Sequence, residues 1–313
     1  MGLDFNSVKF LLWAKNQGVA FDRTLTLGHQ GFSCSPARFT RALKDFGIAG
    51  TAVQINRCFS HEPFTPLFAD EFFRFLGATE VDSVDRSDFE GSTMLHDLNK
   101  PFPEKVRSHF DLVVDGGTLE HIFDYPSALR HCLEVLRVGG HFVSITPASG
   151  QMGHGFYQFS PELFFRVFSA ENGFAIRKII LFDGSKTESE FYAIKDPSVT
   201  GQRSELKSGN PMQMAVLARK LSEVRMFAKP PQQSDYAAIW KKHQQAGITG
   251  RADCNSDWLR RVRLKVNPYW PYWLRRWRDS WRHRWQRGFP NLNNQRSFRR
   301  LSSEHIYSER GDS

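Results

Sequence analysis

The chain has 313 residues, of which 40% are hydrophobic and 24% are charged. These proportions exclude a wholly disordered or collagen-like chain, and the length suits one large domain or two modest ones. No apolar run approaches the roughly 18–20 residues that span a bilayer, and the apolar stretch at 10–14 is too short for a signal peptide. We therefore expect a cytoplasmic protein. Its four cysteines form no CxxC pair, which indicates reduced, structural thiols and no metal site.

Strands and helices alternate along the first part of the chain. A predicted strand at 21–28 ends in Gly28, and Ser35-Pro36 then opens a helix that ends at Gly47. Further helices are predicted at 68–76 and 126–136, the latter stopped by Gly139-Gly140, and another opens at Ser160-Pro161. Further strands are predicted at 80–85, 92–95, 110–114, 141–146, 174–182 and 212–218, with a short one at 191–194. This alternation predicts an α/β fold: a Rossmann-like, mostly parallel sheet flanked by helices, with closing antiparallel pairing.

Glycine or aspartate follows four of these strands. Gly28, Asp85, Asp97 and Asp115 stand at successive strand ends, where open parallel sheets bind their ligands. Glycine lets a ligand approach the backbone, and a carboxylate after the second strand can accept hydrogen bonds from both hydroxyls of a ribose. The structural alternatives are a tight turn at Gly28 and a helix cap or a solvated acid at Asp85.

The central segment resembles the class I S-adenosylmethionine-dependent methyltransferases of the type 11 group. The resemblance is strongest over Phe110-Asp-Leu-Val-Val-Asp-Gly-Gly-Thr-Leu-Glu-His121 and continues through Glu134-Val-Leu-Arg-Val-Gly-Gly140 into the strand at 141–146. It covers roughly residues 20–220, and Val138 stands where the family usually has proline. The family's cofactor is S-adenosylmethionine, so the resemblance implies a methyltransferase that binds it.

The resemblance also assigns roles to the residues at the strand ends. Gly28 and Gly31 would lie against the methionine part of the cofactor, and Asp85 would hold the ribose. Asp97 and Leu98 would flank the adenine, while Asp115 and Gly116 would line the methyl-donor end. The first glycine motif departs from the family's pattern, with Thr26 at the acid position and Gln30 near the middle glycine. His29 and Gln30 are the candidate substitutes for that acid; alternatively, the domain is a degenerate, non-catalytic scaffold.

Three side chains are candidates for contact with the acceptor or for proton transfer. His121 belongs to the Leu-Glu-His segment, which the resemblance places near the cofactor or in a structural role. His154 and Tyr157 belong to a glycine-containing loop after the strand at 141–146, a plausible substrate loop. The alternative for Tyr157 is that it packs the loop. The acceptor is not identified; oxygen or nitrogen of a small molecule, glycan or lipid-linked precursor is expected.

The net charge of +9 lies entirely in the C-terminal part. Residues 1–250 carry 27 basic and 27 acidic residues, whereas residues 251–313 carry 15 basic and 6 acidic ones. Six of the eight tryptophans lie there too, and those at 273, 277, 281 and 285 are spaced for one helix face. Such a helix can lie on an anionic membrane surface through residues 258–287, bind RNA, or pack on the body or on a second subunit.

The sequence therefore predicts three regions: a methyltransferase-like domain at 1–225, a basic aromatic helical extension at 226–287, and a disordered tail at 288–313. The leading hypothesis is methyl transfer from S-adenosylmethionine to an unidentified acceptor. The alternatives are a catalytically inactive interaction module and an RNA methyltransferase that uses the basic extension.

Overall fold

The computed structural model describes residues 2–61, 65–201, 203–245, 292 and 297–301. The chain divides into two compact units: residues 1–194, 208–231 and 300–313 form the first, and residues 195–207 and 232–299 form the second. None of the described helices is long and apolar enough to cross a membrane.

The helices and strands are as follows. The helices are α1 (Phe5–Asn16), α2 (Pro36–Asp45), α3 (Ala52–Arg57), α4 (Asp70–Phe75), α5 (Tyr125–Glu134), α6 (Pro161–Val167), α7 (Pro197–Thr200) and α8 (Ser234–Gln245). The strands are β1 (Gly2–Asp4), β2 (Arg23–Leu27), β3 (Gly31–Ser33), β4 (Glu80–Asp85), β5 (Met94–Leu95), β6 (Phe110–Asp115), β7 (Leu136–Ser149), β8 (Phe174–Asp183), β9 (Phe191–Ile194), β10 (Met212–Lys220) and β11 (Phe298–Leu301). Short 3₁₀ turns lie at Glu104–Val106, Leu119–His121 and Ala170–Asn172.

The sheet of the first unit has the predicted architecture. Its strands follow the order β9-β8-β10-β7-β6-β2-β4-β5. From β7 to β5 every neighbouring pair is parallel, whereas β10 runs antiparallel to both β7 and β8. The predicted fold class, a mostly parallel Rossmann-like sheet with a closing antiparallel strand, is therefore confirmed. Strands β1 and β3 form a separate parallel pair.

The helices cover both faces of the sheet because alternate residues of the buried strands point to opposite sides. Leu112 and Val114 of β6 belong to the apolar cluster that includes residues of α1, α2 and α4. On the opposite face of the sheet, Phe142 of β7 packs against Phe168, with 5.4 Å between the ring centroids. Burial on both faces explains why the middle of β6, residues 112–114, is a continuous apolar run and why the whole strand is buried.

Local capping chemistry sets the start of α2 and of α5. The Ser35 side chain accepts a hydrogen bond from the Arg38 backbone N–H, and Pro36 occupies the first helical turn. Asp124 caps α5 in the same way by accepting from the backbone N–H of Ser127. Both starts combine an oxygen-bearing cap with proline, the arrangement that satisfies or removes the unpaired N–H groups of a first turn.

Several elements differ from the sequence-based expectation. Helix α5 ends at Glu134, and the two glycines expected to stop it lie inside β7, where Gly139 has φ = +87°. The sequence did not predict α1, α3, α7, β1 or β3. Within 288–313, expected to be disordered, Phe298–Leu301 form strand β11, which corrects that expectation for these four residues. The tryptophan stripe at 273–285 lies outside the described residues.

Candidate functional site

The predicted site residues stand at one edge of the sheet because their strands are in register. Leu27 at the end of β2 pairs with Val84 of β4 on one side and with Asp115 of β6 on the other. Asp85 pairs with Leu95 at the end of β5. Parallel pairing therefore brings the residues that follow β2, β4, β5 and β6 to a common edge, as expected for this class of sheet.

A pocket of about 260 Å³ opens at this edge. It brings together four residues that the sequence singled out: Asp85, Asp97, Leu98 and His121. The rest of its lining is formed by Val84, Arg86, His96, Asn99, Thr118, Ile122, Phe123 and Phe156. We call this cavity the strand-end pocket.

The two carboxylates of the strand-end pocket are anchored by their own loops. One oxygen of Asp85 accepts hydrogen bonds from the backbone N–H groups of Arg86 at 2.5 Å and Ser87 at 3.3 Å. Oδ1 of Asp97 accepts from the side chain of Asn99 at 2.8 Å and from its backbone N–H at 3.0 Å. These bonds, the side-chain one above all, lower the pKa of Asp97, so the carboxylate is ionised at neutral pH.

Apolar side chains form part of the wall of the strand-end pocket. Leu98 is buried, whereas Phe123 and Phe156 are 77% and 66% exposed and meet edge to face at 5.8 Å. Two exposed phenylalanines at a cavity rim are costly in water and are suited to covering a planar ligand. The pocket thus combines two acids with apolar walls, a lining that suits an aromatic ring carrying hydroxyl groups.

The side chains of the loop after β2 are bonded to other groups of the protein. Gly28 has φ = +73°, a backbone conformation that glycine adopts freely. His29 stacks on Phe68 at 3.6 Å, its Nδ1 lies 2.6 Å from the carbonyl oxygen of Glu90, and its Nε2 lies 2.8 Å from Oδ2 of Asp70. Both ring nitrogens of His29 are therefore engaged by protein groups.

Gln30 occupies the space beside Gly116. Its Nε2 donates to the carbonyl oxygen of Leu27, while its Oε1 is buried and has no hydrogen-bond partner among the residues that the structure describes. A Cβ on Gly116 would lie 2.3 Å from that oxygen, so the glycine makes room for the amide. Gly31 lies in β3, paired with Gly2 of β1. None of Gly28, Gln30, Gly31 and Gly116 lines the strand-end pocket.

Asp115 holds the turn that follows β6. It is almost fully buried, and it accepts hydrogen bonds from the backbone N–H of Thr118 at 2.9 Å and from the Ser144 hydroxyl at 2.8 Å. Burial raises the pKa of Asp115 despite these bonds. The Thr118 hydroxyl in turn donates to the carbonyl of Leu27 at 2.5 Å. Asp115 thus ties β2, β6 and β7 together and does not line the strand-end pocket.

Two of the three predicted catalytic residues meet a third residue that the sequence analysis did not single out. Nε2 of His154 lies 3.3 Å from Oε1 of Glu120, and the rings of His121 and His154 are 5.0 Å apart. Burial and the nearby Asp115 carboxylate raise the pKa of Glu120 to about 8. Burial, followed by the neighbouring His154, lowers the pKa of His121. We call Glu120, His121 and His154 the His–Glu cluster.

Tyr157 lies beside the His–Glu cluster as an anchor of its loop. Its hydroxyl donates to the carbonyl oxygen of Phe123 at 2.6 Å, and its ring packs near Phe159. The loop is further fixed to the turn after β6, because the backbone N–H of Phe156 donates to the carbonyl oxygen of Glu120 at 2.8 Å. These contacts agree with the packing alternative for Tyr157.

Sequence reasoning missed Glu120 and the phenylalanines of the pocket rim. Glu120 precedes His121 in the Leu-Glu-His segment, so the sequence shows that the two residues are adjacent, but it does not show that Glu120 is buried. An acid that is 0% exposed next to a histidine is a signal only once the fold is known. Phe123 and Phe156 are 33 residues apart in sequence, and no local pattern links them.

Comparisons with known proteins add a set of structural likenesses. No protein-family model and no curated protein matches this sequence. Among solved structures, the chain is similar to the 1,6-didemethyltoxoflavin-N1-methyltransferase of Burkholderia thailandensis, at 14% identity over 69% of this chain and 79% of that one, with a TM-score of 0.36. It is also similar to an S-adenosylmethionine-dependent methyltransferase of Mesorhizobium loti, at 18% identity over 67% and 96%, with a TM-score of 0.35. A 16S rRNA (adenine(1408)-N(1))-methyltransferase of Catenulisporales acidiphilia shows 11% identity over 72% and 95%, with a TM-score of 0.35.

Proposed function

We propose that the chain is an S-adenosylmethionine-dependent methyltransferase that binds the nucleoside part of its cofactor in the strand-end pocket. The observation that carries this proposal is the convergence of Asp85, Asp97 and Leu98 on one cavity at the carboxyl ends of β4 and β5. The sequence resemblance assigns these three residues to the ribose and the adenine. Their meeting in one cavity supports that assignment.

The lining of the pocket fits an adenosyl group. Asp85 follows β4, where its carboxylate can accept hydrogen bonds from the two ribose hydroxyls. Leu98 and Ile122 offer apolar contact to a purine ring, and Asp97 can accept from an exocyclic amine. Each of these four residues lines the cavity.

The methionine end fits less directly. Gln30 stands near the middle glycine of the usual motif, and its buried Oε1 lacks a partner. An unsatisfied buried acceptor costs about 1–3 kcal/mol, and an ammonium group is a donor that would satisfy it. We therefore assign Gln30, and not the fully engaged His29, as the substitute for the missing acid at Thr26.

The His–Glu cluster supplies the acid–base groups for the acceptor. When bound, S-adenosylmethionine provides an electrophilic methyl group, so the protein has only to orient the acceptor and remove its proton. His121 has a lowered pKa and is therefore neutral at physiological pH, able to accept a proton. His154 lies within reach of the Glu120 carboxyl. We propose oxygen or nitrogen of a small molecule, glycan or lipid-linked precursor as the acceptor.

Replacement of Asp85 tests this assignment. The variant Asp85→Ala removes the ribose contact, and a hydrogen bond to a charged group contributes about 1.5–3 kcal/mol. We expect S-adenosylhomocysteine to bind Asp85→Ala roughly 10- to 150-fold more weakly in calorimetry. Asp88→Ala is the matched control, because Asp88 is an exposed acid three residues further on that does not line the pocket. Equal affinities of Asp85→Ala and the wild type would contradict the assignment.

One observation favours a second function. His29 is fully engaged and the Gln30 side chain is buried against Gly116, as expected if the methionine end no longer admits a ligand. In that case the domain is a non-enzymatic scaffold whose interactions involve the C-terminal extension. The two functions differ in their response to cofactor: the enzyme binds S-adenosylmethionine, and the scaffold does not.

A further inference from the structure

Three side chains of the metal-binding types meet at the border of the strand-end pocket. Glu120 and His121 belong to the 3₁₀ turn after β6, and His154 belongs to the loop after β7. One ligand atom from each residue lies within 4.8 Å of the other two. Imidazole nitrogen and carboxylate oxygen are ligands that zinc and related divalent ions bind.

The closest distance in the His–Glu cluster matches tetrahedral coordination. With metal–ligand bonds of about 2.0–2.1 Å, two ligands of a tetrahedral zinc ion stand about 3.3 Å apart. Nε2 of His154 and Oε1 of Glu120 are 3.3 Å apart. The side chain of His154 is 46% exposed and His121 is also exposed, so both rings have open space on one side.

The backbone of the loop holds His154 against Glu120. The carbonyl oxygen of Glu120 accepts hydrogen bonds from the backbone N–H groups of Phe156 at 2.8 Å and Tyr157 at 3.3 Å. Gly155 has φ = +68°, and a Cβ there would lie 2.8 Å from the same carbonyl oxygen. The glycine therefore allows an approach that a larger residue would prevent. Preorganisation of this kind lowers the cost of assembling ligands from two separate loops.

The Glu120 side chain is buried, and one of its oxygens faces His154. The side chain is 1% exposed, and a metal ion is one of the partners that a buried carboxylate accepts. Among the described residues, no lysine or arginine forms an ion pair with Glu120. Oε2 of Glu120 faces the Thr146 hydroxyl at 3.5 Å, which leaves Oε1 directed at the histidine.

We propose that Glu120, His121 and His154 bind one divalent cation of the zinc class. Three protein ligands leave one tetrahedral position open, as in zinc sites of the catalytic type. The site borders the strand-end pocket because His121 also lines that pocket. A small ligand with oxygen or nitrogen donors can take the open position. The proposal does not depend on the methyltransferase assignment, since it concerns metal binding by the protein alone. When the ion is bound, the His121 nitrogen that binds it is not free to accept a proton, so the ion replaces the proton-transfer role given to His121 above.

Metal titration of the full chain tests the proposal. Protein treated with EDTA and then dialysed is titrated with Co²⁺, followed by visible absorption, and with Zn²⁺, followed by calorimetry. We expect saturable binding of one ion per chain. His121→Ala and His154→Ala should each raise Kd by more than about 100-fold, because loss of an outer hydrogen-bond partner alone costs 10–100-fold.

His109→Ala serves as the matched control. Nε2 of His109 lies 3.4 Å from Oε1 of Glu80, a histidine–carboxylate pair of the same kind, and in the described part of the chain it belongs to no three-residue cluster of metal-binding side chains. Its removal should leave Kd unchanged. Far-UV circular dichroism confirms that each variant is folded, and His121 and His154 are exposed enough for replacement to be tolerated.

Two results would overturn the proposal. One is the absence of Co²⁺ and Zn²⁺ binding up to millimolar concentration. The other is binding that the double variant His121→Ala/His154→Ala retains at wild-type affinity, which would place the ion elsewhere in the chain. Neither result bears on S-adenosylmethionine binding, so failure here is distinct from failure of the proposed function.

Discussion

The contact between Gln30 and Gly116 makes replacement of Gly116 by alanine a sharp test of the site. An added Cβ would lie 2.3 Å from Oε1 and 2.8 Å from Cδ of Gln30, and 3.3 Å from Cδ2 of Leu3. Gln30 is only 1% exposed, so its amide has little room to withdraw. Overpacking of a well-packed interior costs about 1–3 kcal/mol, and we expect Gly116→Ala to lower the free energy of unfolding by that amount.

A double-mutant cycle isolates this contact from other effects. In Gln30→Ala, the side chain that the new methyl group would meet is gone, so Gly116→Ala should cost much less in that background. We expect a coupling of at least about 1 kcal/mol, within the range found for residues in direct contact. Urea unfolding of the four proteins, followed by far-UV circular dichroism, measures it.

Gly153→Ala is the control for the glycine substitution itself. No heavy atom lies within 4 Å of a Cβ built on Gly153, so this variant should not be destabilised. If the costs of Gly116→Ala and Gln30→Ala instead add to within about 0.5 kcal/mol, the two residues are not in contact. The assignment of Gln30 to the methionine end would then lose its structural basis.

Three further predictions concern ion pairs, pH and the C-terminal extension. Asp111 is almost fully buried and accepts hydrogen bonds from Arg23 and Arg137, so Asp111→Asn should lower the free energy of unfolding by about 1.5–3 kcal/mol. The control Glu188→Gln, at an exposed residue, should lower it by less than about 1 kcal/mol. Equal losses for the two variants in urea unfolding would refute the importance of the buried pair. Burial, with smaller contributions from nearby arginines, lowers the pKa of His141 from 6.5 to about 4. Below pH 6.5 the unfolded chain therefore binds a proton that the folded chain does not, and the free energy of unfolding should fall by up to about 3 kcal/mol as the pH drops towards 4. The Tm of His141→Gln should change less with pH over this range. A Tm profile of His141→Gln as steep as that of the wild type would contradict the role of His141. Deletion of residues 251–296, which carry 12 basic and 3 acidic residues and so the whole excess positive charge, leaves β11 in the chain. It should abolish sedimentation with anionic liposomes and keep cofactor binding. Liposome binding that survives deletion would refute the membrane role, and steeply salt-dependent RNA binding by the full chain would favour the RNA alternative.

The sequence predicted the sheet because its signals are local. The buried strands β6 and β10 each contain an uninterrupted apolar run, 112–114 and 214–218, and the starts of α2 and α5 carry their own caps. The strand-end acids Asp85 and Asp97 followed from the same reasoning, since parallel pairing forces strand ends together. Asp85 and Asp97 do lie in one pocket.

The start of β7, the contacts of His29 and Gln30, and the His–Glu cluster could not be predicted, because they depend on contacts between residues far apart in the sequence. Gly139 and Gly140 suit a helix end, yet β7 begins earlier, at Leu136, because pairing with β6 extends to that residue. His29 and Gln30 lay in the predicted cofactor loop, but partners far along the chain, such as Asp70 and Gly116, engage them. The His–Glu cluster likewise joins residues 33 positions apart, and their approach depends on how the loop after β7 folds back.

Calorimetric titration of the purified full chain with S-adenosylmethionine and S-adenosylhomocysteine tests the central claim most directly. The proposed function predicts saturable, micromolar binding of both at one site per chain, weakened by Asp85→Ala and unaffected by Asp88→Ala. The absence of binding up to millimolar concentration would contradict it and would favour the scaffold function instead.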